Sequence, residues 1–289
     1  MTIIEAVIQG IIQGLTEFLP ISSSGHLSIY QHFTGNSGDA GFLMLSVLHL
    51  GTLVAVFIAF WDTIWALIKE FIVMIKDIFT GKFKWKTMNG ERRMIIMLVI
   101  SLSMLAPFYI FKDFFVGIST DDDIIVEGIC FLYTSVILFL SDRCVKGKRE
   151  PKDITVKNAV TVGVFQGFAL MPGISRSGST ISGGLFSGFT KETAVKFSFI
   201  LGIPAILGGC LLEVKDAFDT GQTDIELLPF IVGFIVSAVV GIFAIKLVRW
   251  LIKSDKFKIF AFYTLVLGIA VISIGIIERV LGKAITEIM

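Results

Sequence analysis

Residues Gln13–His26 read QGLTEFLPISSSGH, and a later stretch, Gln166–Thr180, reads QGFALMPGISRSGST. Each begins with Gln-Gly, continues through an apolar turn to a proline, and ends in a cluster rich in serine and glycine. Polar clusters are costly at membrane depth unless they have a function. The two stretches therefore predict an internal repeat and mark the place where function should lie.

The composition is that of a membrane protein. Hydrophobic residues make up 54% of the 289 positions and charged residues 17%, whereas a soluble domain carries about 25% charged residues. The charges cluster between long apolar runs, as expected when a bilayer excludes them. The net charge of +1 says nothing about partners, whereas the lack of a basic stripe or nucleic-acid motif predicts no nucleic-acid partner. The three cysteines have no framework spacing, which predicts no structural disulfide.

Six apolar segments are long enough to cross a hydrocarbon core of ~30 Å. A more amphipathic helix, Trp61–Phe79, follows the first of them, so that span is predicted to be extended or bent. The six predicted spans are Phe42–Phe60, Met94–Phe111, Ile124–Leu140, Ala194–Leu212, Leu227–Leu247 and Ile259–Ile277.

A shorter, interrupted unit precedes the first and the fourth span. In each unit an apolar helix of about 15 residues is expected to stop at Pro20 or Pro172, and a Ser/Gly loop follows. A second short segment, Leu27–Phe33 or Ile181–Phe189, completes the unit. Helices this short cannot cross a bilayer, so each unit is predicted to be a re-entrant helix-loop-helix hairpin.

The order hairpin, span, span, span occurs twice. Three spans per half force the halves into opposite orientations, which is the inverted-repeat architecture. We therefore predict an all-α integral membrane protein with six transmembrane helices and two re-entrant hairpins. It forms a single membrane domain over residues 1–289, with repeat 1 at about 1–145 and repeat 2 at about 155–289.

Loop charges alternate in sign along the chain. Because basic loops stay in the cytoplasm, both termini are predicted to be extracytoplasmic, and the two hairpin tips should meet near mid-membrane. The basic residues are Lys82, Lys84, Lys86, Arg92 and Arg93 after the first span, Arg143, Lys146, Lys148, Arg149, Lys152 and Lys157 after the third, and Arg249, Lys253, Lys256 and Lys258 after the fifth. The acidic residues between them are Asp121, Asp122, Asp123, Asp216, Asp219, Asp224 and Glu226.

The second tip has the features of an anion site. Arg176 lies among Ser175, Ser177, Gly178 and Thr180 at the start of a short helix. A planar guanidinium, hydroxyl groups and free backbone N–H groups at a helix N-terminus suit phosphate. The alternative is a packing loop from which Arg176 reaches the membrane interface.

The first tip offers hydroxyl groups and one imidazole, in Ser22, Ser23, Ser24 and His26. Histidine can attack phosphorus or transfer protons near neutral pH. A hydrogen-bonded polar residue of the core is the alternative for His26. His49 lies in an apolar span without a break, where packing or a hydrogen bond to a neighbour is expected.

Glu17 and Gln13 lie four residues apart, on one helix face before the first break. Glu17 could bind a hard divalent cation or accept a proton. Gln13 could add a neutral oxygen or an amide donor. Alternatively, Glu17 pairs with Arg176 to neutralise a buried charge, which does not exclude catalysis.

Together these groups predict a phosphoryl-transfer centre with a cation clamp, a nucleophile and an acid or base. Its position in a membrane protein implies a substrate with a phosphate head at the interface and a tail in lipid. A second candidate is a transporter that flips a polyprenyl phosphate, since inverted repeats with broken helices are typical of carriers. A structural scaffold would leave Arg176 and His26 in Ser/Gly breaks unexplained.

At these residues the chain resembles the undecaprenyl-diphosphate phosphatase family of the bacitracin-resistance type, over nearly its whole length. The motifs are Glu/Gln-x-x-x-Glu leading to Pro-x-Ser-Ser-x-Gly-His, matched by Gln13–His26, and Pro-Gly-x-Ser-Arg-Ser-x-x-Thr, matched by Pro172–Thr180. Many members of that family have Glu where this chain has Gln13, which weakens the expectation of a two-carboxylate metal site.

The resemblance implies hydrolysis of undecaprenyl diphosphate to undecaprenyl phosphate and inorganic phosphate, which recycles the lipid carrier for peptidoglycan and other cell-wall polymers. It implies a multi-pass protein of the bacterial cytoplasmic membrane with an extracytoplasmic active site. A divalent cation, usually Mg²⁺ or Ca²⁺, is expected at Glu17 and Gln13. The resemblance assigns Ser23 and His26 to a catalytic loop, and Arg176, Ser175 and Thr180 to a phosphate loop. Together with the residue chemistry it predicts catalytic roles for Glu17, Ser23, His26 and Arg176, and phosphate binding by Arg176, Ser22, Ser24, Ser175, Ser177 and Thr180. Attack by Ser23, by His26, or by water that His26 activates stays open, and the sequence predicts no oligomeric state.

Overall fold

A computed structural model describes residues 1–34, 41–111, 124–144, 147–219, 227–254 and 256–282. Within these ranges the chain is helical and contains no β-strand, which agrees with the predicted all-α class. The α-helices are α1 (Ile3–Thr16), α2 (Ser23–Thr34), α3 (Gly41–Ala59), α4 (Trp61–Phe79), α5 (Gly90–Ser103), α6 (Leu105–Tyr109), α7 (Ile125–Asp142), α8 (Val156–Phe168), α9 (Arg176–Phe186), α10 (Lys191–Asp219), α11 (Leu227–Lys253) and α12 (Lys258–Leu281).

Five helical segments of the described chain are long and apolar enough to cross a membrane, judged by length and composition. They are α5 with α6, α7, α10, α11 and α12. A sixth candidate is α3 with α4, which bends by 86° between the two helices. The bend lies at Phe60, whose backbone (φ −123°, ψ 23°) is not helical. The predicted bend after the first span is therefore confirmed.

Several helices extend beyond the predicted spans. The fourth predicted span, Ala194–Leu212, is part of α10, which is 29 residues long and contains Pro204. Hydropathy marks only the apolar part of a helix, whereas backbone hydrogen bonding continues into its polar ends. The acidic residues Asp121, Asp122, Asp123, Asp224 and Glu226, together with Lys146, lie outside the described residues.

The two interrupted units fold as short helix pairs. The first helices, α1 and α8, have 14 and 13 residues and end before Pro20 and Pro172. The second helices begin earlier than the apolar segments predicted, at Ser23 and at Arg176. A serine at the helix start caps free backbone N–H groups, so the polar loop itself forms the first helical turn.

The short helices pack closely because glycines recur at a spacing of four. A Cβ atom at Gly14 would lie 2.8 Å from the carbonyl oxygen of Ser237 on α11. A Cβ atom at Gly163 would lie 2.5 Å from the carbonyl oxygen of Ser101 on α5. Small residues at this spacing let helix backbones approach each other in membranes.

Helix pairing crosses between the two halves of the chain. The first hairpin helix α1 packs against α11 of the second half, and α8 packs against α5 of the first half. Helix α7 pairs with α12, and α3 pairs with α10. These pairings bring the two Ser/Gly tips together.

Candidate active site at the contact of the two tips

Both tip helices begin with a serine whose hydroxyl group caps a backbone N–H group of the first turn. The Ser22 hydroxyl oxygen accepts a hydrogen bond from the Gly25 N–H at 3.3 Å, and the Ser175 hydroxyl oxygen accepts one from the Gly178 N–H at 3.0 Å. Ser22 also has a φ of +71°, the one positive φ at a non-glycine residue in the described chain. Non-glycine residues held in sparsely populated backbone conformations cluster at active sites and ligand clamps.

The two tips contact each other through reciprocal hydrogen bonds. The Gly173 N–H donates to the Ser24 hydroxyl at 3.1 Å, and the Ser177 hydroxyl donates to the Leu19 carbonyl at 3.2 Å. Gly173 has a φ of +92°, and a Cβ atom there would lie 2.8 Å from the Cys130 side chain. Glycine is therefore required where the second tip turns against the first.

Glu17 is the centre of the polar cluster at this contact. One carboxylate oxygen accepts a hydrogen bond from the Arg176 guanidinium. The other accepts from the Ser23 hydroxyl at 2.8 Å and from the Gln13 amide at 3.0 Å. Only 5% of the Glu17 side chain is exposed, compared with 24% for Arg176. The pairing of Glu17 with Arg176, foreseen as an alternative, is present in the structure.

The cluster opens into a cavity of ≈ 550 Å³. Glu17, Ser23 and Arg176 form part of its polar wall, with Ser22, Ser24 and Ser175 beside them. The remaining wall is largely apolar and comes from α5, α6, α10 and the loop before Pro172. A polar end joined to apolar walls suits an amphiphilic ligand.

Four of the predicted site residues do not line this cavity. One of them, Gln13, is fully buried beside Glu17, and the other three are His26, Thr180 and Ser177. The ring of His26 packs between Phe131 and Tyr263, with ring centroids 5.3 and 5.7 Å away. Thr180 donates to the Arg176 carbonyl at 2.8 Å and lies 2.6 Å from the Ser198 hydroxyl. Ser177 is bound to the Leu19 carbonyl. Their contacts position the two tips.

The hydrogen bonds of His26 define its tautomer. Nδ1 lies 2.6 Å from the Ser22 carbonyl oxygen, which can only accept, so Nδ1 carries the proton. In the neutral ring Nε2 then accepts from the Tyr263 hydroxyl at 2.7 Å. His26 therefore holds the carbonyl of the one non-glycine residue with positive φ in the described chain.

A sequence model described as bacitracin resistance protein BacA matches residues 6–270. The chain belongs to this family. It is 44% identical over 275 residues to a protein named undecaprenyl-diphosphatase from Alkaliphilus metalliredigens, covering 94% of this chain and 98% of that protein. Proteins of the same name from Halothermothrix orenii and Methanosphaera stadtmanae are 38% and 37% identical, covering 94% and 96% of this chain and 98% and 99% of theirs. Membership of this family and the apolar helices together make the chain a multi-pass membrane protein.

Gln13, which replaces the glutamate of many BacA-family members, is fully buried beside Glu17. Its amide nitrogen donates to Glu17, and its Oε1 atom has no hydrogen-bond partner among the described residues. A buried oxygen of this kind next to a carboxylate fits a hard cation, which binds neutral and charged oxygens together. The pair is thus compatible with a divalent cation despite the loss of one carboxylate.

The sequence reasoning missed several residues of the cavity wall, among them His49 and Gln166. His49, expected only to pack or to bond a neighbour, has its Nε2 atom 3.8 Å from Glu17. Gln166 also lines the cavity, although its exposed fraction is only 3%. The Gln-Gly pair shared by Gln13 and Gln166 was a signal for the second residue, whereas only tertiary contacts place His49. His32, which had no special context, pairs with Glu278 at 2.9 Å.

Gly202 gives a test of the arginine position. A Cβ atom at this position on α10 would overlap the Arg176 guanidinium. We expect Gly202→Ala to displace Arg176 from Glu17 and to lower phosphate release about 10-fold or more, as loss of alignment does at catalytic sites. The measurement is the initial rate at which the purified variant releases phosphate from undecaprenyl diphosphate. Leu211→Ala on the same helix, at an exposed side chain outside the cavity lining, is the control.

Tyr263 gives a test of the His26 arrangement. Tyr263→Phe removes the hydroxyl that donates to His26 Nε2 but keeps the stacked ring. If His26 positions the turn at Ser22, the rate of phosphate release by Tyr263→Phe should fall by less than about 10-fold, since only one hydrogen bond is lost. His26→Ala should cost more, because the Ser22 carbonyl loses its donor. A larger loss for Tyr263→Phe than for His26→Ala would contradict this order of effects.

Proposed function

We propose that the protein hydrolyses undecaprenyl diphosphate to undecaprenyl phosphate and inorganic phosphate. The observation that carries the proposal is the cluster of Glu17, Ser23 and Arg176 at the polar end of a cavity with apolar walls. The relatives named undecaprenyl-diphosphatase support the same reaction. Cleavage of this substrate would recycle the lipid carrier for cell-wall synthesis.

In this mechanism the diphosphate head lies against Arg176 and the hydroxyl groups of Ser22, Ser24 and Ser175. The guanidinium offsets the charge that develops on the phosphoryl oxygens. The apolar walls take the first part of the prenyl tail, which leaves sideways between helices into lipid. Ser177 and Thr180 do not contact the substrate in this mechanism. They hold in place the loop and the helix that carry Arg176.

The nucleophile that the geometry favours is Ser23. Its hydroxyl already donates to Glu17, so Glu17 is in position to take the proton as the oxygen attacks the terminal phosphorus. The bond from phosphorus to the bridging oxygen breaks, and undecaprenyl phosphate leaves with the electron pair. Water then cleaves the phosphoserine, and inorganic phosphate is released.

Attack by His26 requires a different arrangement, because both ring nitrogens are engaged with Ser22 and Tyr263. The two routes differ in the trapped intermediate. Rapid quenching followed by mass spectrometry should find phosphate on Ser23. A phosphohistidine at His26 would overturn the assignment of Ser23.

A divalent cation, Mg²⁺ or Ca²⁺, would be held by Glu17 and the free oxygen of Gln13. When bound, it would offset part of the negative charge of the diphosphate. We expect excess chelator to lower phosphate release from undecaprenyl diphosphate at least about 10-fold and added Mg²⁺ or Ca²⁺ to restore it. Full activity in chelator would contradict a cation requirement.

The same assay separates hydrolysis from transport. A carrier would bind the lipid and release no phosphate, whereas the proposed enzyme releases one phosphate per lipid. Purified wild-type protein that binds undecaprenyl diphosphate without cleaving it would favour the carrier.

We also infer that the halves of the chain are inverted repeats of three spans and one hairpin each. The reciprocal packing of α1 on α11 and of α8 on α5 supports this, as do the matching serine caps of the two tips. The alternating loop charges support extracytoplasmic termini and an active site open to that side. The orientation can be tested by replacing Lys84 or Lys148, in loops expected to be cytoplasmic, with a single cysteine. A membrane-impermeant thiol reagent added to intact cells should not label either position, and labelling would contradict the proposed orientation.

A further inference from the structure

A second group of metal-binding side chains lies in the cavity wall beside the phosphatase cluster. His49, Cys210 and Glu213 each offer one ligand atom, and these three atoms all lie within 4.8 Å of one another. Cys210 and Glu213 are three residues apart on α10, which puts them on one helix face. His49 comes from α3, which packs against that face.

The distance between two of the three ligand atoms is close to that of ligands around one ion. His49 Nδ1 lies 3.9 Å from a Glu213 carboxylate oxygen, which is too long for a hydrogen bond. Two atoms that share one zinc ion at its usual bond lengths lie roughly 3–4 Å apart. The observed separation therefore needs little movement to accept an ion.

Ser46 contacts two of the three side chains, since its carbonyl oxygen accepts a hydrogen bond from the Cys210 thiol at 3.6 Å and its hydroxyl contacts Glu213. The Ser46 hydroxyl donates to the other Glu213 oxygen at 2.6 Å, so the oxygen nearest His49 is left for an ion. The second ring nitrogen of His49 faces Glu17 at 3.8 Å. Metal-bound histidines commonly have a carboxylate or carbonyl next to the nitrogen that does not bind the metal.

We propose that His49, Cys210 and Glu213 bind a transition-metal ion of the Zn²⁺ type. Sulfur and imidazole ligands favour Zn²⁺ over Mg²⁺ or Ca²⁺, which prefer oxygen. The site is therefore chemically distinct from the oxygen pair of Glu17 and Gln13. An ion bound there, with the Cys210 thiol deprotonated, adds positive charge to the wall that faces the substrate head.

Cobalt is a suitable probe, because a thiolate bound to Co²⁺ gives a near-ultraviolet charge-transfer absorption. The experiment uses the full chain, purified in detergent, with Cys144→Ser to remove the more exposed thiol. We expect one equivalent of Co²⁺ to give the thiolate absorption and Zn²⁺ to abolish it by displacement. Excess Mg²⁺ should leave the absorption unchanged.

Variants then assign the ligands. Cys210→Ser should abolish the thiolate absorption, and His49→Gln and Glu213→Gln should weaken Co²⁺ binding at least about 10-fold. Cys130→Ser, at a buried thiol outside the group, is the matched control and should keep the absorption. Absence of the thiolate absorption in the parent protein, or its persistence in Cys210→Ser, would overturn the proposal.

An independent observation concerns Gln166. Its side chain is 3% exposed and lines the cavity, yet neither its amide oxygen nor its amide nitrogen has a partner in the described part of the chain. Buried polar groups are almost always hydrogen-bonded, and an exception calls for an explanation such as a ligand. Its counterpart in the first motif, Gln13, has the same feature at its oxygen.

We infer that the Gln166 amide donates a hydrogen bond to a phosphate oxygen of the bound substrate. This inference rests on the proposed function, since it assigns a further group to the same substrate head. Gln166 lies on α8 of the second hairpin and lines the same cavity as Glu17 and Ser23 of the first hairpin. The diphosphate would then be held from both hairpins by neutral as well as charged donors.

Gln166→Leu removes the hydrogen bond and keeps most of the volume. We expect kcat/KM for phosphate release to fall about 10-fold or more, while the thermal unfolding temperature stays unchanged or rises, because an unpaired buried amide has been removed. Gln166→Glu should lower kcat/KM further by placing a carboxylate beside the phosphate. Gln9→Leu, at a buried glutamine outside the cavity lining, is the control.

The two readouts separate binding from a structural role. A lower unfolding temperature with unchanged kcat/KM in Gln166→Leu would overturn the inference. The wild-type rate tests the proposed function separately, because phosphate release by the wild type together with a fully active Gln166→Leu would contradict only the role of Gln166.

Discussion

Replacing Arg176 with alanine should lower the rate of phosphate release by 10²-fold or more. Arg176 is the cation of the cavity cluster that is bound to Glu17. Removal of one donor that stabilises transition-state charge costs about 10²–10³ in rate. Arg176→Lys should recover only part of this loss, because lysine cannot make the two-pronged contact of a guanidinium. Initial rates with undecaprenyl diphosphate in detergent measure both variants.

Loss of Arg176 also affects stability, and this must be separated from catalysis. Glu17 is 5% exposed, so Arg176→Ala leaves a buried carboxylate without its cation. Removing one partner of a buried pair destabilises a protein by about 3–5 kcal/mol. The double variant Arg176→Ala with Glu17→Gln removes both charges and should regain part of this stability while staying inactive. Near-normal turnover of Arg176→Ala would show that Arg176 does not clamp the phosphate.

Replacing Glu17 with glutamine should lower the rate by about 10²–10⁴-fold, the usual contribution of a general base. Glutamine keeps the volume and one oxygen, so Gln13 and Ser23 retain an acceptor. It cannot take the Ser23 proton, and it leaves Arg176 without a counter-charge. Quench experiments should therefore find no phosphoserine in this variant.

The Mg²⁺ concentration needed for half-maximal activity is a second measurement of the role of Glu17. If Glu17 also holds the divalent cation, Glu17→Gln should require more Mg²⁺ for half-maximal residual activity. Glu5→Gln, in the capping box at the start of the same helix, is the control and should keep both rate and metal response. Activity of Glu17→Gln within a few-fold of the wild type would remove Glu17 from the mechanism.

The ends of the hairpin helices could be predicted only in part from the sequence. The residue before a proline avoids helical backbone, and α1 and α8 end at Thr16 and Phe168, four residues before Pro20 and Pro172. The start of α2 was missed, since hydropathy registers Leu27 but not the serine cap before it, whereas the polar pattern around Arg176 predicted the start of α9 correctly. The glycine pairs that let α1 and α8 pack closely acquire their meaning only from the helices they meet.

In the candidate site, too, the sequence predicted some features and missed others. Arg176, Ser23 and Glu17 were chosen for their chemistry next to a break, and the structure brings all three together. His26 was chosen for the same reason, yet its ring is directed to Ser22 and Tyr263. Which way a side chain points depends on the neighbouring helices α7 and α12, and no local pattern carries that information.

The sequence alone determined the membrane class, the two interrupted units and the residues capable of phosphate chemistry, because hydropathy, proline and serine act over a few neighbouring positions. Only the tertiary structure decided which of these residues share one cavity. His49, Gln166, Cys210 and Glu213 entered that cavity through helix pairing between distant parts of the chain, and packing of this kind is set by many contacts at once.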